Sequence, residues 1–104
     1  MAWEAAKTAC NTTKNTSTPV TDATWLLASK DQWDYMLGTN GAGSYTALRD
    51  GFSGISGASN LQSDFYWSST EDEEDDVWYI DFRDGSWDIT YKGNSYLVRS
   101  CLAF

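Results

Sequence analysis

The chain contains no histidine, one proline (Pro19), two cysteines, and seven basic residues against fifteen acidic ones. Without histidine there is no imidazole for acid–base chemistry. Cys10 and Cys101 lie near opposite ends and outside any CxxC pair, too few ligands for zinc. A net charge of −8 repels phosphate, so neither nucleic acid nor an anionic membrane is an expected partner. No stretch approaches ~18 continuous apolar residues, so no membrane insertion is expected. The N-terminus lacks the basic and apolar regions of a signal peptide. A role outside the cell would need an address upstream of this segment or another export route.

What is present fits one α+β domain over residues 1–104, large enough to bury roughly 60–70% of its unfolded surface. Six Trp, six Tyr and four Phe suit a core filled by a few large rings, with others left for the surface. The acids are localised: Asp64 to Asp88 holds ten carboxylates and one cation, Arg83. The plain reading is a solvated acidic loop, and the sharper one is a cation site. The cysteines also have two readings. A disulfide closing the chain ends would contribute ~4–5 kcal/mol in the loop-entropy model, and two reduced buried thiols would contribute none of that.

Residues 3–10 read as a helix with Trp3, Ala6 and Cys10 on one stripe. Asn11 to Thr21, rich in Thr and Asn, reads as a surface loop. Trp25, Leu26 and Leu27 enter the core before Ser29. Ser29 and Gln32 form a capping box, with Trp33, Met36 and Leu37 as the apolar stripe and Gly38 as the C′ stop. A short helix near 44–51, capped by Ser44, is expected next, with Phe52 and Ile55 pinning the remainder to the core. Strands follow at Phe65–Ser69, Val77–Arg83, Trp87–Tyr91 and Tyr96–Phe104. The Asp84-Gly85 and Gly93-Asn94 turns predict that the last three form an antiparallel meander.

Period-two alternation turns Trp78, Ile80 and Phe82 to the core and leaves Tyr79, Asp81 and Arg83 outside. The next strand has two readings: Trp87, Ile89 and Tyr91 inward, or Ile89 alone inward with the rings at the edge. The last strand is apolar on both faces and reads as central. Arg99 within it then needs a carboxylate, and Glu71 is the candidate for this structural ion pair. The outward candidates for ligand contact are Tyr79, Asp81, Arg83, Trp87, Asp88, Thr90 and Tyr91, flanked by Asp72, Glu74, Asp76 and Asn94. Tyr, Trp and Arg supply much of the binding energy at protein interfaces, and short polar residues adapt their hydrogen bonds.

TWLLASKDQWDYML resembles a "gWrLPTkeEW" segment, and YWSSTE…VWYIDFRDG…YLVRSCLAF resembles "yWSSTe…aWyvdFsdG…vRpVraF". Both belong to a bacterial and phage group with the C-type lectin-like fold. That group includes variable proteins of diversity-generating retroelements, used as phage receptor-binding tips or adhesins, and domains of bacterial surface lipoproteins and pilins. The resemblance implies two to three short helices followed by an antiparallel meander, with the usual first strand missing. It also implies a disulfide between Cys10 and Cys101, which occupy the places of a bond common in the fold. WLLAS departs from WRLPT, and the EPN, QPD and WND triplets of calcium-dependent sugar binders are absent.

The expected function is therefore a hypervariable ligand-binding domain, receptor-binding or adhesin in type, without catalysis, cofactor or metal. Its partner would be a protein or glycan on a cell surface, and its location extracellular, on a bacterial surface or phage tail, with a homo-oligomer open to it. The alternative is a non-diversified structural or adhesive module of a surface lipoprotein or pilin. An enzyme is not expected, since no nucleophile–base pair or metal set is evident.

Overall fold

A computed structural model describes residues 1–52 and 59–103. Ile55, expected to pin the Gly/Ser-rich stretch, lies outside them. The described residues form a compact α+β domain with short helices and two antiparallel sheets.

The chain opens with α1 (Trp3–Thr8), which runs through a π-helical turn (Ala9–Thr13) into α2 (Lys14–Ser17). The expected loop from Asn11 is thus helical as far as Ser17. The physical reason is a tertiary one. Asn11 and Asn15, one turn apart, both bond the backbone of β1 (Thr24–Leu27). Helix α3 (Lys30–Leu37) carries the complete capping box: Gln32 N–H donates to Ser29 Oγ at 3.1 Å, and Ser29 N–H to Gln32 Oε1 at 2.8 Å. Gly38 ends the helix as its C-cap, in extended rather than left-handed backbone. Helix α4 (Tyr45–Asp50) starts at Ser44, whose hydroxyl accepts from Ala47 N–H.

Three strands, β2 (Phe65–Glu73), β3 (Asp76–Asp81) and β4 (Ser86–Tyr91), form one sheet in that order. The acidic segment is not a loop: β2 continues through Glu71–Glu73, turns at Glu74-Asp75, and β3 begins at Asp76. The β3–β4 hairpin closes through Asp84-Gly85 as the sequence predicts, with Gly85 at a φ of 79°. A register shift in β2 between Trp67 and Glu71 gives the WSST motif its structural roles. Trp67 is fully buried, and Ser68 Oγ donates to the Trp78 carbonyl at 2.7 Å. Ser69 N–H bonds Ala28 O, and Thr70 Oγ1 accepts from Lys30 N–H. The motif ties the sheet to the start of α3.

The last strand corrects the expected meander. After β4 the chain turns at Lys92-Gly93, and Leu97 bridges Tyr66 in parallel, on the far side of β2 from β3. Only then does β5 (Ser100–Ala103) form, paired antiparallel with β1 in a separate two-stranded sheet. This placement overturns the Glu71–Arg99 pair. Arg99 precedes β5, where its guanidinium lies 4.7 Å over the Phe52 ring and donates to Ser59 O at 2.9 Å. Glu71 instead accepts from Lys92 Nζ at 2.8 Å, which holds its carboxyl below the usual range.

The cysteines are both free thiols, so the expected disulfide is not formed. Strand parity explains why. Ser100 Oγ donates to Cys10 Sγ at 3.2 Å, so Ser100 shares a face with Cys10 and its neighbour Cys101 points the other way. Cys10 packs with Trp3 and Trp67, whereas Cys101 packs with the Trp33 cluster. Burial raises both thiols, Cys101 to about 11.

Two core clusters sandwich β2 and β3. Trp3, Ala6, Cys10, Leu27, Trp67 and Val77 form one, and Ala28, Trp33, Leu61, Tyr66, Ile80 and Phe82 the other. Adjacent Tyr66 and Trp67 enter opposite clusters, as a sheet buried on both faces requires. The expected solvated face on β3 is therefore largely covered.

Candidate functional site

The candidate surface lies where β3 and β4 carry Tyr79, Asp81, Asp88 and Thr90 on a common face. The register sets Tyr79 opposite Asp88 and Val77 opposite Thr90. The alternation groups these residues as expected, but their exposure differs. Tyr79 is half-buried and Asp81 is only 8% exposed. The cause is the segment before β5, which brings Tyr96 onto this face. Phe65, Tyr79 and Tyr96 form a triangle of rings with centroids 4.9–5.0 Å apart. Each such contact contributes ~0.5–1.5 kcal/mol beyond area burial.

Around this triangle stand the polar groups. Arg83 lies just beyond β3, with its guanidinium 4.6 Å over the Phe65 ring. It forks onto Asp81 through Nε–Oδ1 at 3.0 Å and Nη2–Oδ2 at 2.9 Å, and its backbone N–H donates to Oδ1 at 2.9 Å. Hydrogen bonding to Arg83 keeps the Asp81 carboxyl below the usual range and raises the guanidinium further. At the other end Thr90 Oγ1 accepts from Asn94 Nδ2 at 2.7 Å and lies 3.3 Å from the Tyr96 hydroxyl. Asp88 is exposed and accepts from Ile89 N–H at 2.8 Å. Burial first, then Tyr96, Asp88 and Asp81, raise the Tyr79 hydroxyl, which keeps it a donor across the neutral range.

Trp87 and Tyr91 do not join this face. They share parity with Trp78 and Ile80, so they emerge on the reverse side of the sheet. There Trp87 Nε1 donates to Asp34 Oδ1 at 2.8 Å, and Lys30 Nζ lies 5.0 Å from the Trp87 ring and 5.4 Å from that of Trp78. The side expected by the first reading of this strand holds, since Trp87, Ile89 and Tyr91 share the face of Trp78 and Ile80 and Trp87 packs against the Trp33 cluster, but Ile89 at 37% and Tyr91 at 59% exposure are not buried there. Asp72 and Glu74 are exposed near the hairpin tip, and Asp76 is half-buried opposite Tyr91. Among the described residues no three acidic or thiol groups converge as a metal site.

Sequence reasoning missed Phe65 and Tyr96. Phe65 could have been found from pairing, because it stands opposite Asp81 and shares its face. Tyr96 could not, because its place depends on the unexpected route of the chain past β2. The completed face combines packed rings, one fixed guanidinium and several short polar groups at its margin, an arrangement suited to contact with another surface. Comparison with family models, with curated proteins and with solved structures finds no match for this chain.

Proposed function

We propose that the chain is a ligand-binding domain on a C-type lectin-like scaffold, of the hypervariable receptor-binding or adhesin type. It would act on a bacterial surface or phage tail, without catalysis, on a protein or glycan of another cell. One observation supports this reading most. Arg83, Asp88, Thr90 and Asn94 stand around the Phe65–Tyr79–Tyr96 ring cluster, while Ile80 and Phe82 on the reverse parity are fully buried. The scaffold is secured from below, so the outer side chains are free to differ.

The Asp81–Arg83 fork favours a second reading for its part of the face, since a buried carboxylate held by four bonds is a fixed structural feature. A conserved adhesive module would keep it. Diversity is then expected at Asp88, Thr90, Asn94, Asp72 and Glu74, with Asp81 constant.

A displayed library randomised at Asp88, Thr90 and Asn94 tests the proposal. Most members should stay folded, because surface substitutions usually change stability by within ~0.5 kcal/mol. General unfolding of the library would remove the reading. In binding to intact bacterial cells, Tyr79→Ala should weaken attachment and Trp87→Ala, on the reverse side, should not. Gene sequences differing from a nearby template repeat only at template adenines would support diversification, and absence of a repeat would leave the fixed module.

A further inference from the structure

Five of the seven cationic side chains sit within ion-pair distance of a carboxylate: Lys7 with Glu4, Lys30 with Asp34, Arg49 with Asp50, Arg83 with Asp81 and Lys92 with Glu71. Lys14 and Arg99 are the other two, and among the described residues neither has a carboxylate partner. They stand 85 positions apart in the chain, yet both line one open cavity of about 550 Å³. It is bordered by α2, α3, α4 and the entry to β5. Among the described residues no acidic side chain lines it, in a protein whose net charge is −8.

Ring faces rather than counter-charges hold these cations. Lys14 Nζ lies 4.8 Å from the Trp25 ring centroid, and the Arg99 guanidinium 4.7 Å from that of Phe52. Arg99 Nη1 donates to Ser59 O, and among the described residues the rest of its fork makes no hydrogen bond. Behind them the wall is apolar: Trp33, Met36, Leu48, Leu61 and Val98.

We propose that this cavity binds a small amphiphilic carboxylate, with its anionic head between Lys14 and Arg99 and a ring-sized apolar body against the inner wall. Small-molecule sites occupy roughly 300–1,000 Å³ and combine an apolar lining with a few convergent polar groups. Two like charges in one concavity repel, and a bound anion offsets that repulsion while accepting charge-assisted hydrogen bonds. The negative field of the whole chain selects a monoanion over a phosphate dianion. The site is separate from the Tyr79 face, so it stands or falls independently of the proposed function.

Titration with phenylpropionate and with its amide, followed by backbone amide NMR, tests the assignment. The acid should bind at least about fivefold more tightly than the amide, with shifts at Leu48, Leu61 and Val98. Lys14→Met and Arg99→Met should each weaken the acid about fivefold and leave the amide unchanged. If loss of the Ser59 tether unfolds the Arg99 variant, Lys14→Met carries the comparison alone. Equal affinity for acid and amide, shifts confined to β3 and β4, or no shifts from either compound at about 10 mM would overturn it.

Discussion

The side-chain amide of Asn15 bonds both backbone polar groups of Trp25: its Nδ2 donates to the carbonyl at 2.9 Å and its Oδ1 accepts from the N–H at 2.8 Å. One side chain thus does for β1 what a neighbouring strand would do. Asn11 adds a bond from Leu27 N–H on the same edge. An open strand edge is a template for unwanted pairing, and here α2 and the π-turn cover it.

Asn15→Ala should therefore cost about 1–3 kcal/mol, because it leaves a half-buried N–H and carbonyl without their partner. Asn15→Asp should not restore stability, since its carboxylate faces the Trp25 carbonyl. Urea unfolding measures both. A loss below about 0.3 kcal/mol for Asn15→Ala would mean that water replaces the amide freely.

Gly85 stands at the β3–β4 turn beneath Tyr45, and a Cβ there would lie 2.5 Å from Tyr45 Cδ1. Its φ of 79° also belongs to the left-handed region. Gly85→Ala should destabilise by about 1–3 kcal/mol. Adding Tyr45→Ala should recover part of that loss if the ring contact contributes. Strict additivity in the double-mutant cycle would assign the whole cost to the backbone.

Acid should weaken the Tyr79 face through Asp81. Its carboxyl is depressed in the folded state, chiefly by hydrogen bonding to Arg83, so the stability it contributes is present above the unfolded value near ~3.9. That contribution disappears as pH falls through the folded value. The thermal midpoint of the native protein should drop more between about pH 5 and about pH 2 than that of Asp81→Asn. Parallel curves would show that Asp81 titrates alike folded and unfolded.

Alkali should act through Cys101. Burial raises this thiol from its ordinary 9.0 to about 11, so the folded state resists forming the thiolate. Stability is fully present below the unfolded thiol's value and declines as pH rises toward about 11. Cys101→Ala should flatten that decline. Alkylation at pH 8 should be slow in the native protein and fast in urea, with two thiols reacting after unfolding. A fast-reacting thiol in the native state would contradict the burial of Cys10 or the raised pKa of half-buried Cys101.

Ser29 and Gln32, Ser44, and Asp84-Gly85 were legible because each acts over three or four residues, through a hydrogen bond or a φ restriction that the residue type itself carries. The parity of β3 and β4 was legible for the same reason, so Tyr79, Asp81, Asp88 and Thr90 were grouped correctly. Which of them water reaches was not legible. That depends on Tyr96, whose N–H bonds Met1 O and whose ring meets Phe65 and Tyr79. Of the two readings of β4, the inward one for Trp87, Ile89 and Tyr91 has the right side, and their grouping with the Tyr79 face fails because pairing with β3 puts them beside Trp78 and Ile80.

The amino-acid order determined the caps, the hairpin turn, the alternation within each strand and the localisation of charge, because these follow from neighbours a few bonds away. Tertiary structure decided that β5 joins β1, that Cys10 and Cys101 face apart, that Glu71 meets Lys92, and that Lys14 and Arg99 share a cavity. Those outcomes rest on contacts between residues as far apart as Met1 and Tyr96. Several pairings of comparable local merit exist for such residues, and burial of the two core clusters together selects among them.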